Sequence, residues 1–321
     1  MVPIVATLNR VPGGTMLIPL LLGSIVRTFA PGFLELGSFT SALFRDSALP
    51  LIALLVLATG AQLNLRQSGR VLAKAGTLVL FKTFLPALLA IAYGYLFGLD
   101  GILGISLLAF MVAFINSNGG LWIALASQYG DEEDRGAYIA SALNDGPFFT
   151  LLFLGLSGLG AIPWQALVAA IVPFIIGFIL GNLDERFAKM MEPTASITIP
   201  FFAFALGAGI DLRSLAVGGA TGLILGVLVS VVTGYLGVLG YRLLLGERSA
   251  VGFAVGTTAG NAVVTPAIVA QADPRFAPFV EVAAAQIAAA VLVTAILTPL
   301  LTHYFHQRWS GQRPAPSGAR V

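Results

Sequence analysis

Two short polar runs interrupt long apolar stretches, and they carry the groups best able to hold a solute. The first is Asn116-Ser117-Asn118-Gly119-Gly120; the second is Thr257-Thr258-Ala259-Gly260-Asn261, followed by Thr265-Pro266. Asn, Ser, Thr and Gly are weak helix formers, so each run is expected to unwind the helix that contains it. Unwinding frees backbone N–H and C=O groups that lipid cannot satisfy, so two such breaks must face each other or a wet cavity. Half-helix N-termini then offer N–H groups and positive dipole ends to an organic anion, while carbonyl, Asn, Ser and Thr oxygens suit polar groups or a cation. Small polar residues that merely permit close helix packing are the competing reading. Two breaks at corresponding places, Gly119 and Gly260 lying 141 residues apart, favour the site. Asn116, Ser117, Asn118, Gly119, Gly120, Thr257, Thr258 and Asn261 are therefore candidate substrate-binding residues.

Charged residues inside apolar stretches are the second signal. In Asn144-Asp145-Gly146-Pro147 the acid lies ten residues beyond Arg135, about 15 Å along a helix and so near midplane. A carboxylate there costs several kcal/mol unless protonated or paired, which makes Asp145, with Asn144 beside it, the candidate for proton coupling. A structural ion pair is the alternative. Pro147 has no N–H and crowds the carbonyl of Leu143, leaving a further acceptor next to the acid. Lys82, twelve residues past Arg70, lies about 18 Å deep, too far for easy snorkelling. Either it pairs with an acid such as Asp145 or it meets the negative charge of a substrate. Gln286, equivalent by position to Asn144 in the second half, completes the candidate binding set.

Other chemistries are poorly provided for. The chain has no Cys, so no disulfide, thiolate metal ligand or Cys nucleophile is available, and its only two His, His303 and His306, stand near the C-terminus. There they suit lipid headgroups better than a metal. Asp46 and Glu281 lie close to helix starts, where carboxylates complement the dipole, and the run Asp131-Glu132-Glu133-Asp134 reads as a solvated loop. No phosphate-binding G-x-x-x-x-G-K-[ST] motif is present, which disfavours primary pumping. Basic residues are scattered singly between apolar runs, so no nucleic-acid partner, cofactor, metal or enzymatic activity is expected.

The elements that must position these groups are membrane helices. Of 321 residues 57% are hydrophobic and 10% charged, with a mean hydropathy of +0.92, which excludes a water-soluble globule. Apolar runs of spanning length fall at about 14–29, 44–63, 70–97, 102–128, 135–157, 164–182, 194–210, 215–244, 250–271 and 278–304. With the N-terminus inside, 12 of the 17 Lys and Arg fall on the inner side and four outside, Lys82 being within a span. That asymmetry places both termini in the cytoplasm.

Gly60-Ala61-Gln62-Leu63-Asn64-Leu65-Arg66 matches Gly207-Ala208-Gly209-Ile210-Asp211-Leu212-Arg213, and Pro19-Leu20-Leu21-Leu22-Gly23 parallels Pro173-Phe174-Ile175-Ile176-Gly177. Five spans per unit turn the second copy upside down. The expected architecture is thus an all-α integral membrane protein of ten transmembrane helices, arranged as two inverted five-helix repeats whose broken helices four and nine cross at midplane. The divisions are a cytoplasmic segment 1–13, repeats at 14–160 and 164–305, and a disordered cytoplasmic tail 306–321.

Five segments give the chain a resemblance to a known family. They are Pro12-Gly13-Gly14-Thr15-Met16-Leu17-Ile18-Pro19-Leu20, Gly76-Thr77-Leu78-Val79-Leu80-Phe81-Lys82, Ser117-Asn118-Gly119-Gly120-Leu121, Gly181-Asn182-Leu183-Asp184 and Ile199-Pro200-Phe201-Phe202-Ala203-Phe204-Ala205-Leu206-Gly207. Over nearly its whole length the chain resembles the 2-keto-3-deoxygluconate permeases, bacterial inner-membrane transporters. That family is similar in architecture to the bile-acid sodium symporters, with core and panel domains and crossing broken helices in the core. The family pattern has a Glu one position before Ser-Gly-Pro, whereas this chain reads Asn144-Asp145-Gly146-Pro147, the acid displaced by one residue. The resemblance implies a multi-pass transporter that imports the sugar acid with protons through alternating access. A sodium-coupled symporter of another small organic anion is the alternative.

Overall fold

In the computed structural model, residues 4, 8, 14–63, 69–144, 146–209 and 212–310 are described. Among them the chain is helical, and the only β-type pairing is an isolated bridge between Ile102 and Ile105. The main elements are α1 (Gly14–Phe29), α2 (Ala48–Ala61), α3 (Gly69–Phe97), α4 (Leu107–Ile115), α5 (Gly119–Tyr129), α6 (Phe148–Leu156), α7 (Trp164–Leu183), α8 (Thr194–Gly207), α9 (Leu212–Leu244), α10 (Thr265–Ala272) and α11 (Val280–Ser310). A turn of π-helix lies inside α3 at Leu80–Phe84 and another inside α9 at Val229–Thr233.

Among the described residues six helical stretches are long and apolar enough to cross a membrane, and up to eight if each of two bent pairs is one span. This is a multi-pass membrane protein. The count falls short of the ten expected spans for a reason of length. The first is matched by the shorter apolar stretch Ile18–Phe29, and the seventh, α8, has 14 residues, about 21 Å against a hydrocarbon core of about 30 Å. Boundaries move as well. The expected span 44–63 is bent by 57° between Ser38–Phe44 and Ala48–Ala61. The expected span 135–157 is divided into Glu132–Gly136, Ile139–Asn144 and α6. The last helix continues to Ser310, so residues 306–310 of the segment 306–321 are helical.

Glycines set the closest helix contacts. A Cβ on Gly207 of α8 would lie 1.9 Å from the Leu20 carbonyl of α1, and one on Gly177 of α7 would lie 1.8 Å from the Leu57 carbonyl of α2. Without side chains the backbones touch, which is how membrane helices gain packing energy where lipid removes the hydrophobic drive. Gly218, Gly222 and Gly226 do the same along α9, against Ala285, Gln286, Ala289, Ala290 and Val293 of α11. The interior belongs to α4, buried at every residue but Phe110, whereas α7 buries only Gly177 and turns its remaining surface outward. Broken segments are thereby kept away from lipid, as their unpaired backbone requires.

Candidate functional site

Asn116 and Asn118 adopt extended backbone angles between α4 and α5, so the helix does unwind at the first polar run. At the second, a 3-10 turn Ala250–Val255 leads into extended Ala259, a second 3-10 turn Gly260–Val264 and then α10. The two breaks meet. Asn118 N–H donates to Thr257 Oγ1 at 2.9 Å, and Ala259 N–H donates to Asn116 Oδ1 at 2.9 Å. Each freed backbone donor is thus taken by a side chain from the opposite break. Thr258 adds a bond from Oγ1 to the Ala113 carbonyl at 3.0 Å and one from its N–H to Thr294 Oγ1 at 3.2 Å.

A second layer braces the first break from behind. Asn144 Oδ1 accepts from Ser117 N–H and Oγ at 3.2 and 2.9 Å, its carbonyl accepts from Asn116 Nδ2 at 3.1 Å, and its Nδ2 donates to Thr83 Oγ1 at 3.1 Å. Asn116, Ser117, Thr257 and Thr258, all buried, are therefore the pins of the crossover, and they do not line the cavity beside it.

That cavity measures about 450 Å³ and is lined by Asn118, Gly119, Gly120 and Asn261 of the predicted set. Among the described residues no Asp, Glu, Lys, Arg or His lines it. Its other polar walls are Thr15, Thr59 and Tyr138, residues the sequence did not single out. For Thr15 and Thr59 a signal existed, a lone hydroxyl in an apolar stretch. Asn261 is 5% exposed, and neither atom of its side-chain amide has a partner. Thr265 Oγ1, one helical turn on, is likewise unpaired.

The remaining candidates sit apart. Lys82, fully buried in the π turn of α3, donates to Thr233 Oγ1 in the π turn of α9 at 3.1 Å and does not line the cavity. Gln286 donates to the Gly104 carbonyl and Thr221 Oγ1, both at 2.7 Å, and also lies off the cavity. Asp145 lies outside the described residues.

One expectation is corrected. The acidic run 131–134 is exposed at Asp131 and Glu132, as a solvated loop would be, but Asp134 is buried and the run forms a capped helical turn. Lys74, fully buried on α3, contacts Asp131 and Asp134 at 2.8 Å and Glu247 at 3.5 Å. Asp134 also accepts from Tyr241 Oη at 2.8 Å, and its carbonyl takes the Trp122 indole N–H at 2.9 Å. Asp131 and Asp134 close a capping box at Glu132–Gly136. Burial raises the Asp131 carboxyl, but hydrogen bonds from Lys74 and the Asp134 N–H outweigh it and hold the group at about 2. On another loop, Asp273 is held at about 2 by its hydrogen bond from Arg275, against opposing burial, with help from the Ala161 N–H. His303 bonds through Nδ1 to Tyr129 Oη at 3.0 Å, tying the ends of α11 and α5.

Several apolar spans wrapped around a buried crossover and its cavity make a multi-pass membrane protein, and by family and by the names of its relatives it is a permease, not an enzyme. The chain belongs to the 2-keto-3-deoxygluconate permease family, whose model matches residues 5–311. It is 45% identical over 305 residues to 2-keto-3-deoxygluconate permease 1 of Salmonella typhimurium, covering 95% of this chain and 96% of the relative. To the 2-keto-3-deoxygluconate permease of Tolumonas auensis it is 41% identical, covering 98% and 95%. The Bacillus subtilis permease of the same name is 40% identical, covering 92% of each chain.

Proposed function

We propose that this chain is a secondary transporter that imports 2-keto-3-deoxygluconate with protons, by alternating access of one cavity to the two sides of the bacterial inner membrane. The observation that carries the reading is the cavity at the crossover, where the N-terminus of α5 and the unpartnered amide of Asn261 face one space with no charged side chain among the described residues. The substrate follows from the names of the relatives.

Two inverted five-helix units, 14–160 and 164–305, build the transporter, and both termini are cytoplasmic. Reciprocal contacts support the pairing. Gly207 against Leu20 corresponds, at offsets of 147 and 154, to Gly60 against Phe174, and Gly177 against Leu57 to Gly23 against Phe204. The two bonds of the crossover, Asn116–Ala259 and Thr257–Asn118, exchange with one another at an offset of 141. A twofold relation between halves predicts just such exchanges, and chance likeness of Gly-rich sequence does not. Single Cys residues at positions 66 and 213 of this Cys-free chain are then labelled by an impermeant thiol reagent from opposite sides. Labelling of both from one side defeats the inverted arrangement.

Asp145 is the coupling acid in this reading, held beside Asn144, whose side chain braces the crossover. Lys82, which bonds to Thr233 away from the cavity, is the cation that pairs with this acid in the reading. Purified protein in liposomes accumulates labelled 2-keto-3-deoxygluconate under a proton gradient and not under a sodium gradient alone. Asp145→Asn abolishes accumulation while leaving exchange between equal pools. Uptake driven by sodium alone transfers the reading to a sodium symporter, and accumulation by Asp145→Asn moves the coupling to another acid.

A further inference from the structure

The walls of the cavity divide by chemistry. On one side stands the N-terminus of α5, an eleven-residue helix. Its cap, Asn118, spends its own N–H on Thr257 and its side-chain oxygen on the Leu121 N–H. The N–H groups of Gly119 and Gly120 precede the reach of intrahelical bonding and border the cavity. A Cβ on Gly120 would meet nothing nearer than Asn118 Oδ1 at 3.5 Å, so space lies open at Gly120, whereas the Tyr138 ring closes the space at Gly119. On the other side stands Asn261, more than nine-tenths buried, with both Nδ2 and Oδ1 unpartnered. Thr59 Oγ1 donates to the Leu55 carbonyl at 2.9 Å, which leaves its lone pairs as acceptors.

These groups ask for different ligand atoms. A carboxylate only accepts, so it matches the N–H pair and dipole of α5. Placed on Asn261 it would satisfy Nδ2 and set its negative oxygen against Oδ1. Hydroxyls both donate and accept, and only such groups pair both atoms of the amide and the free lone pairs of Thr59. With no cationic side chain on the walls among the described residues, a second carboxylate would enter without compensation.

We propose that Asn261 reads the hydroxyls of the substrate while the α5 N-terminus holds its single carboxylate, so that the cavity selects hydroxylated monocarboxylates over plain carboxylates, dicarboxylates and neutral polyols. This rests on the reading of the cavity as the substrate site. The test is calorimetric binding and thermal shift on the purified full chain with 2-keto-3-deoxygluconate, D-gluconate, hexanoate, glucarate and sorbitol. At least one of the first two binds, and the other three bind about tenfold more weakly or worse, the loss that follows from one buried polar group left unpaired. Asn261→Leu, which keeps the branched outline of the side chain and removes its polar atoms, lowers hydroxy-acid affinity about tenfold or more and erases the preference over hexanoate. Because Asn261 has no internal hydrogen bond to lose, the ligand-free variant melts no lower than wild type, a result a merely structural role would not give. Asn261→Ser, which keeps a donor and an acceptor, retains part of the preference and serves as the binding variant should the Leu chain fail to fold. Hexanoate binding as tightly as the hydroxy acids, or a preference unchanged in both variants, overturns the inference. A chain with the expected ligand pattern that accumulates no labelled 2-keto-3-deoxygluconate upholds the inference and defeats the transport reading instead.

Discussion

Thr257→Val is nearly isosteric, removes one acceptor and adds no charge, so it isolates what the crossover bond contributes. Thr257 is fully buried and its Oγ1 takes the Asn118 N–H at 2.9 Å. Valine leaves that N–H without a partner, at a cost of about 1–3 kcal/mol. Asn116→Leu does more, because it strands both the Ala259 N–H and the Asn144 carbonyl. Two groups left unpaired give about 2–6 kcal/mol if the costs add. Thermal and denaturant unfolding in detergent should therefore order the proteins as wild type, Thr257→Val, Asn116→Leu. Affinity for 2-keto-3-deoxygluconate should fall in Thr257→Val, since its bond to Asn118 aims the first N–H groups of α5 at the cavity. A Thr257→Val protein with wild-type stability and affinity, or the reverse order, would refute the claim that these bonds pin the two breaks together.

Lys74→Met should destabilise the fold by about 3–5 kcal/mol, the cost of breaking a buried ion pair from one side, and denaturant unfolding reads it; Asp134→Asn on that background should recover part of the loss. Gly207→Ala forces α1 and α8 apart, since its Cβ would sit 1.9 Å from a carbonyl, whereas Gly219→Ala meets nothing within 4 Å. Melting temperatures should fall sharply for the first and hold or rise for the second, where helix propensity alone acts. Asp131 and Asp273 are held at about 2, below the ordinary 3.8, so their contribution is complete above pH 4 and is lost as pH falls toward 2. The melting temperature should be flat from pH 7 to 5 and decline below 4, less steeply in Asp273→Asn.

Helical class and the two breaks were legible because Asn, Ser, Thr and Gly stand out against apolar sequence at membrane depth. What each polar residue faces was not. Asn116 and Asn118 are two positions apart and alike in type, yet one bonds across the crossover and the other caps α5 at the cavity wall. The difference depends on partners 139 and 143 residues away, which no local pattern encodes. Lys74 was hidden for the same reason. It stands near a helix end, where snorkelling is the default, and its burial follows from Asp131, Asp134 and Glu247 arriving from two distant loops. The expected span 44–63 starts too early because it runs over the polar bend Arg45-Asp46-Ser47, after which the helix begins at Ala48.

A π turn holds one residue more than the α turn it replaces, so every side chain beyond it is advanced by about 100° around the axis. In α3 the buried positions before Leu80–Phe84 include Val71, Lys74, Ala75 and Leu78, and those after it are Pro86, Ala87, Ala90 and Gly94. A stripe of period 3.6 running on from Leu78 would reach positions 85, 89 and 92, one or two short of those observed. The two halves of the span therefore bury faces that are out of phase, and a helical wheel drawn over all of it blurs both. Removing one residue inside Leu80–Phe84 would restore a single phase. Ala90 and Gly94 would then keep the positions they fill, whereas tightening the π turn to an α turn without a deletion would swing Leu89, now exposed, toward the protein interior and turn Ala90 and Gly94 out.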